Sequence, residues 1–279
     1  ASFEPPRITP WPDALFLLPF SGHLWFLQYL FLISLMSLPL LLYLRSGRGQ
    51  RWVTTLARWC DGRGGIFLFV IPLALALIGL RWLFAAQRSW ADFLRYAIYF
   101  VIGYVMSADK RFTDAVKRHG WVCLAVWLVG ILGVGLLVLG LGYDPFPGQE
   151  PFPFSFLWTY ILYQILWTVS GWSAVVFVLS IGAKYLNSTH KILAYGNEAV
   201  LPFYLFHQTV ILVVGFFVIR WNLGIVSKLL IVTAISFPVI LVLYELLVRR
   251  FNAIRFFFGM RPKEKRPAGR GAFPRRDPR

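Results

Sequence analysis

Glu198, Tyr204, His207 and Gln208 stand within a segment that otherwise carries no formal charge as far as Ile219. If a membrane helix opens at Ala199, His207 lies about 12 Å into a hydrocarbon core about 30 Å thick. An ionisable group at that depth is costly unless it meets a cavity or a polar partner, which makes it a candidate for proton transfer. The plainer reading is a neutral imidazole bonded to a neighbouring helix. Tyr204 precedes His207 by three residues and shares its face, and Gln208 adds an amide. Glu198 is nine residues back, about 180° around the helix, so the two cannot pair along it. Near a helix N-terminus Glu198 reads as a favourable end charge, with Pro202 in the tolerant first turn.

Two further groups could bind a polar ligand. His23, Trp25 and Gln28 stand at the mouth of the first apolar segment. The rings suit either headgroup anchoring or ligand contact, and the deeper Gln28 needs a partner. Arg81, Arg88 and Arg95 fall at the edges of the second and third segments, with Asp92 three residues before Arg95. Guanidinium forks suit carboxylate, phosphate or polar sugar ligands, although they also snorkel to the interface. No metal-ligating cluster, phosphate-binding loop or serine nucleophile elbow is legible. His119 and His190 sit beside lysine and arginine in expected cytoplasmic loops and read as solvated.

The elements that must position these groups are membrane helices. The chain is 58% hydrophobic and only 14% charged, with mean hydropathy +0.65, too apolar for a soluble domain. The fold expected is all-α, a polytopic membrane helix bundle of about seven transmembrane helices. They run over 24–44, 64–84, 92–108, 120–141, 156–181, 199–220 and 226–248. The third has a charge-free core of only 96–108. Two-residue alternation is absent, which argues against a β-barrel. With the N-terminus outside and the C-terminus inside, 22 of the 28 basic residues fall on the inner side, as the positive-inside rule requires. The net charge of +16 therefore reflects membrane orientation, and no nucleic-acid partner is expected. Cys60 and Cys123 imply no disulfide framework.

Three regions follow: a Pro-rich outer loop over 1–23, the bundle over 24–248, and a basic cytoplasmic tail over 249–279, largely disordered. The loop at 142–154 reads as a rigid proline-rich turn. The opening at Ala1 resembles an interior loop more than a signal peptide, so the chain reads as part of a longer parent. The expected location is the inner (cytoplasmic) membrane, as a multi-pass protein.

In this order, the pieces resemble the acyltransferase 3 family of membrane acyltransferases, nearest the branch associated with succinyl transfer to periplasmic glucans. The resemblance covers residues 20–265 and rests on three signatures. These are His23-Leu24-Trp25-Phe26-Leu27, the late helix with Asn197, Ala199, Phe203, Tyr204, Leu205 and His207, and Leu243-Tyr244-Glu245 before the basic stretch ending Phe258-Gly259-Met260-Arg261-Pro262. Arg81 also falls where the branch has an arginine at the end of a span. The family has more spans than this chain, and its usual catalytic histidine lies in a first helix that no position here matches. The resemblance implies transfer of an acyl group from cytoplasmic acyl-CoA to a hydroxyl of a carbohydrate or glycan acceptor. It places His207, in a supporting role, and His23 in the catalytic region. Trp25, Gln28, Arg81, Arg95, Tyr204, Gln208 and Glu198 would stand around the substrates. Acyl-CoA is the donor and no cofactor is expected; the arginines between 45 and 63 could attract its phosphates, although orientation already accounts for them. The lipid bilayer is the remaining partner. Two alternatives use the same polar groups without acyl transfer: an exporter of polysaccharide or lipid-linked sugar, and a non-catalytic scaffold of envelope glycan synthesis.

Overall fold

Backbone polar groups in hydrocarbon must be satisfied within their own segment, which leaves apolar runs of this length little choice but helix. In the computed structural model, residues 24–81, 83–84, 89–144, 157–186, 190–258 and 260 are described, and no strand occurs among them. The first helices are α1 (Trp25–Arg45), α2 (Gly47–Asp61) and α3 (Val70–Arg81), the last entered through the 3-10 turn Gly65–Phe69. There follow α4 (Trp90–Ser107), α5 (Lys110–Gly135, prolonged by a π turn, Leu136–Gly140) and α6 (Leu157–Tyr185). The remainder are α7 (Lys191–Val218), α8 (Ile225–Leu243, with the π turn Tyr244–Val248) and α9 (Asn252–Phe257).

Each of the seven expected segments coincides with a helix among the described residues. Five are long and apolar enough to cross a membrane: α1, α5 with its π turn, α6, α7, and α8 with its π turn. The second, Gly65–Arg81, is apolar but short. The third, α4, has 18 residues, about 27 Å of helix, and its first turns carry Asp92 and Arg95. The expected tail begins with the helix α9, while 1–23, the rest of the 142–154 loop beyond Asp144, and 261–279 lie outside the described residues.

Two compact units divide the chain at residue 188. In the first, α5 and α6 pack closely because small residues let the backbones approach. A Cβ at Gly120 would collide with the Ser180 hydroxyl, and one at Gly130 would stand 2.8 Å from Ser170 Cβ. At the centre, Phe69 packs on Phe112 and Trp172, and the Trp172 indole N–H donates to the Ile66 carbonyl at 3.0 Å. The amphipathic α2 buries Val53, Ala57 and Cys60 at helical spacing and turns Trp52, Trp59, Arg48, Arg51 and Arg58 outward.

His119 overturns its expected solvated character. It sits on α5 and is 9% exposed. Its Nδ1 donates to the Ala115 carbonyl at 2.9 Å, and Nε2 accepts from the Gly64 N–H at 3.2 Å. The carbonyl can only accept, which puts the proton on Nδ1 of a neutral ring. His190 is exposed and caps α7, its Nδ1 accepting from the Ile192 N–H.

In the second unit α7 begins at Lys191, eight residues before the expected entry. Pro202 is consequently an interior, buried residue of the helix, not a first-turn one. Lacking an N–H, it leaves the Glu198 carbonyl without its usual intrahelical donor. Glu198 is two turns inside α7, so it is not the N-terminal end charge that the shorter helix implied.

Candidate functional site

The polar residues of the first unit converge on Asp92, which stands in the first turn of α4 behind Ser89. Arg81, the last residue of α3, places Nη2 2.5 Å from Asp92 Oδ1. One helical turn along α4, Arg95 places its own Nη2 3.2 Å from the same oxygen. The three side chains are 12%, 10% and 19% exposed, so both arginines turn inward onto the carboxylate and neither snorkels outward. Two guanidinium groups thus share one carboxylate.

Aromatic residues wall the cluster. Arg95 donates to the Tyr96 hydroxyl at 3.0 Å and lies 4.9 Å from the Tyr96 ring centre. The Tyr96 ring in turn meets Trp25 at 6.0 Å and Tyr29 at 5.9 Å, both on α1. Gln28 is half-buried on the same helix. Tyr160 of α6 donates to the Ile78 carbonyl at 2.8 Å and so ties α6 to the last turn of α3. Tyr163, one turn further, is within electrostatic reach of both arginines and packs on Tyr143 with ring centres 5.0 Å apart. Below it, Gln164 and Thr168 are buried on α6.

Trp25, Arg81 and Arg95, chosen for their residue types, are thus brought together by three different helices. The Arg81–Asp92 bond was not anticipated, since the two are separated by a loop whose path the sequence does not display. Tyr160, Tyr163, Gln164 and Thr168 were also missed, although their spacing marks a polar stripe on an otherwise apolar span. His23 and Arg88 lie outside the described residues.

The second unit carries the remaining candidates. His207 Nδ1 donates to the Tyr204 carbonyl at 2.5 Å, and the two rings are tilted with centres 5.4 Å apart. That bond assigns a proton to Nδ1. Gln208 is half-buried beside it. Glu198 does not reach this histidine; it pairs with Arg255 at 2.8 Å. Arg255 is 7% exposed and was overlooked as one of many tail cations, although it is embedded between Ile254 and Phe256.

Chemically, the first cluster offers two buried guanidinium groups beside tyrosine rings, donors of the kind that suit a carboxylate, a phosphate or a developing oxyanion. The second offers an imidazole whose ring is oriented by the Tyr204 carbonyl, a group able to take part in proton transfer. No group of histidine, cysteine and carboxylate residues able to hold a metal occurs among the described residues.

A family model described as an acyltransferase domain matches residues 2–245 of the chain. No curated protein and no solved structure matches it.

Proposed function

We propose, from the premise that the chain belongs to the acyltransferase 3 family, that it transfers an acyl group from acyl-CoA to a hydroxyl of a carbohydrate or glycan acceptor. The coarser statement, a multi-pass membrane acyltransferase, is what family and fold together establish. The observation that carries the finer reading is the Arg81–Asp92–Arg95 cluster. Its guanidinium forks, buried beside Trp25 and Tyr96, suit an acidic or phosphorylated sugar whose ring stacks on aromatic faces.

In the reaction, the acceptor oxygen attacks the thioester carbon and its proton passes to a general base. The tetrahedral oxyanion then collapses, the carbon–sulfur bond breaks, and the CoA thiolate takes up a proton. His207, its Nδ1 proton held by the Tyr204 carbonyl, has a supporting role in that proton transfer, assisted by Gln208. His23 is the other histidine of the catalytic region, and the bilayer is the medium that holds the helices.

The test is reconstitution of the chain in lipid nanodiscs with acyl-CoA and candidate glycans. Acceptor-dependent release of free CoA is the expected result. Glycan translocation in sealed vesicles without thiol release would establish an exporter instead, and neither activity would favour the scaffold.

A further inference from the structure

We infer that the outer face of α1, α2 and α4 holds one anionic phospholipid, with its phosphate on Arg48 and Arg51 and an acyl chain in the adjoining apolar groove. The inference rests on the membrane-spanning fold and does not depend on acyl transfer.

The headgroup end is built by the turn between α1 and α2. Ser46 closes α1 and caps α2, its hydroxyl oxygen accepting from the Gly49 N–H at 3.3 Å. A Cβ at Gly49 would strike the Tyr43 carbonyl, so glycine is what lets α2 fold back so tightly. This turn sets Arg48, Arg51, Trp52 and Thr55, which share one face of α2, against Tyr43 in a pocket of about 370 Å³. Arg48 and Arg51 make no ion pair among the described residues. Asp61, at the far end of α2, pairs with Arg118, and Asp109 pairs with Arg111. Two uncompensated guanidinium groups beside a tryptophan match a phosphodiester, which accepts forked hydrogen bonds.

The chain end is a groove of about 730 Å³ that includes Ile33, Met36 and Leu40 of α1, Leu56 and Trp59 of α2, and Val101 of α4. Leu40 is one turn from Tyr43 on α1, and Trp52, Leu56 and Trp59 follow at helical spacing on α2, so the groove continues the pocket's face along both helices. From Ile33 to Tyr43 is about 15 Å of helix, half of a hydrocarbon core about 30 Å thick, or one leaflet. Met36 is 64% and Trp59 63% exposed, so the groove opens sideways, where a bilayer lipid can enter without leaving the membrane. Trp52 and Trp59 project outward from α2, and such rings favour the headgroup level. They place the arginines at the depth of the phosphates. In the orientation the charge distribution favours, this is the cytoplasmic leaflet, whose anionic lipids supply the matching charge.

The experiment places the chain in nanodiscs of phosphatidylcholine with a minority of phosphatidylglycerol and counts retained lipid by native mass spectrometry. One phosphatidylglycerol per chain is expected to survive detergent exchange. Arg48→Gln with Arg51→Gln should weaken its retention about thirtyfold, with unchanged helical circular dichroism. Arg58→Gln should leave retention unaltered. Leu40→Trp, which fills the groove and spares both arginines, should also displace the lipid. The proposal is overturned if phosphatidylcholine is held as well as phosphatidylglycerol, or if the double variant keeps its lipid. It is equally overturned if long-chain acyl-CoA displaces the lipid mole for mole, which would assign the site to the acyl donor.

Discussion

Replacing Asp92 by asparagine keeps the side-chain shape and removes a charge that both Arg81 and Arg95 face. All three side chains are less than a fifth exposed, so little solvent screening offsets the loss. Removing one partner of a buried ion pair costs about 3–5 kcal/mol, because the remaining charge stays desolvated. Here two cations are left facing each other, which puts the expectation at the upper part of that range. For a chain of this size the apparent unfolding temperature should fall by about 8–20 °C. The assay is thermal unfolding in one fixed nanodisc composition, followed by tryptophan fluorescence at a constant scan rate. Asp61→Asn is the internal control: its pair with Arg118 is about half exposed and is worth at most about 1 kcal/mol. Arg95→Gln in the Asp92→Asn background should recover part of the loss by removing one of the two stranded charges. If Asp92→Asn shifts the transition no more than Asp61→Asn does, the cluster is not the buried charge centre described above.

Other expectations follow from particular contacts. The Asp109 carboxylate accepts from the Arg111 side chain and backbone N–H, which holds its pKa below the ordinary carboxylate value. A lowered folded-state pKa gives stability that is complete above the unfolded value and is lost as pH falls through the folded one. The stability gap between wild type and Asp109→Asn should thus be constant near neutrality and close in acid, as read from urea titrations. Gly120→Ala should lower stability by about 1–3 kcal/mol through overpacking, with recovery in the Gly120→Ala, Ser180→Gly pair. Gly103→Ala, which meets nothing within 4 Å, should have no comparable effect. Burial pushes the Cys60 thiol up to about 11, so maleimide should label it at pH 7 only after unfolding. His207→Ala should cut acceptor-dependent CoA release about a hundredfold or more if the imidazole moves the proton. Tyr204→Phe keeps the carbonyl that holds Nδ1 and should cost far less.

The helical identity of the segments was legible because composition alone decides it: apolar runs of this length have no other way to satisfy their amides. Their limits were not. Hydropathy detects the part of a helix that is apolar, so α7 was expected to begin at Ala199, eight residues late, and both Pro202 and Glu198 were misplaced with it. His119 was misread for a related reason. Its neighbours in sequence, Lys117 and Arg118, are polar. On a helix, however, the residues that share its surroundings are Ala115, Val116 and Cys123, all buried. The i,i+3 relation of Asp92 and Arg95 was visible at once, whereas Arg81 joins them only after the loop between α3 and α4 brings the helix ends together.

Sequence by itself therefore determined the membrane-helical class, the family resemblance and the inventory of polar groups, because these depend on residue type and on separations of a few residues. Tertiary structure alone decided that Asp92 serves two arginines, that Arg255 takes Glu198, and that His119 accepts from Gly64. Each of these pairs reaches beyond its own helical segment, except that Arg95 also meets Asp92 along α4. Their geometry is set by helix packing and loop paths, where distance in space no longer follows distance along the chain.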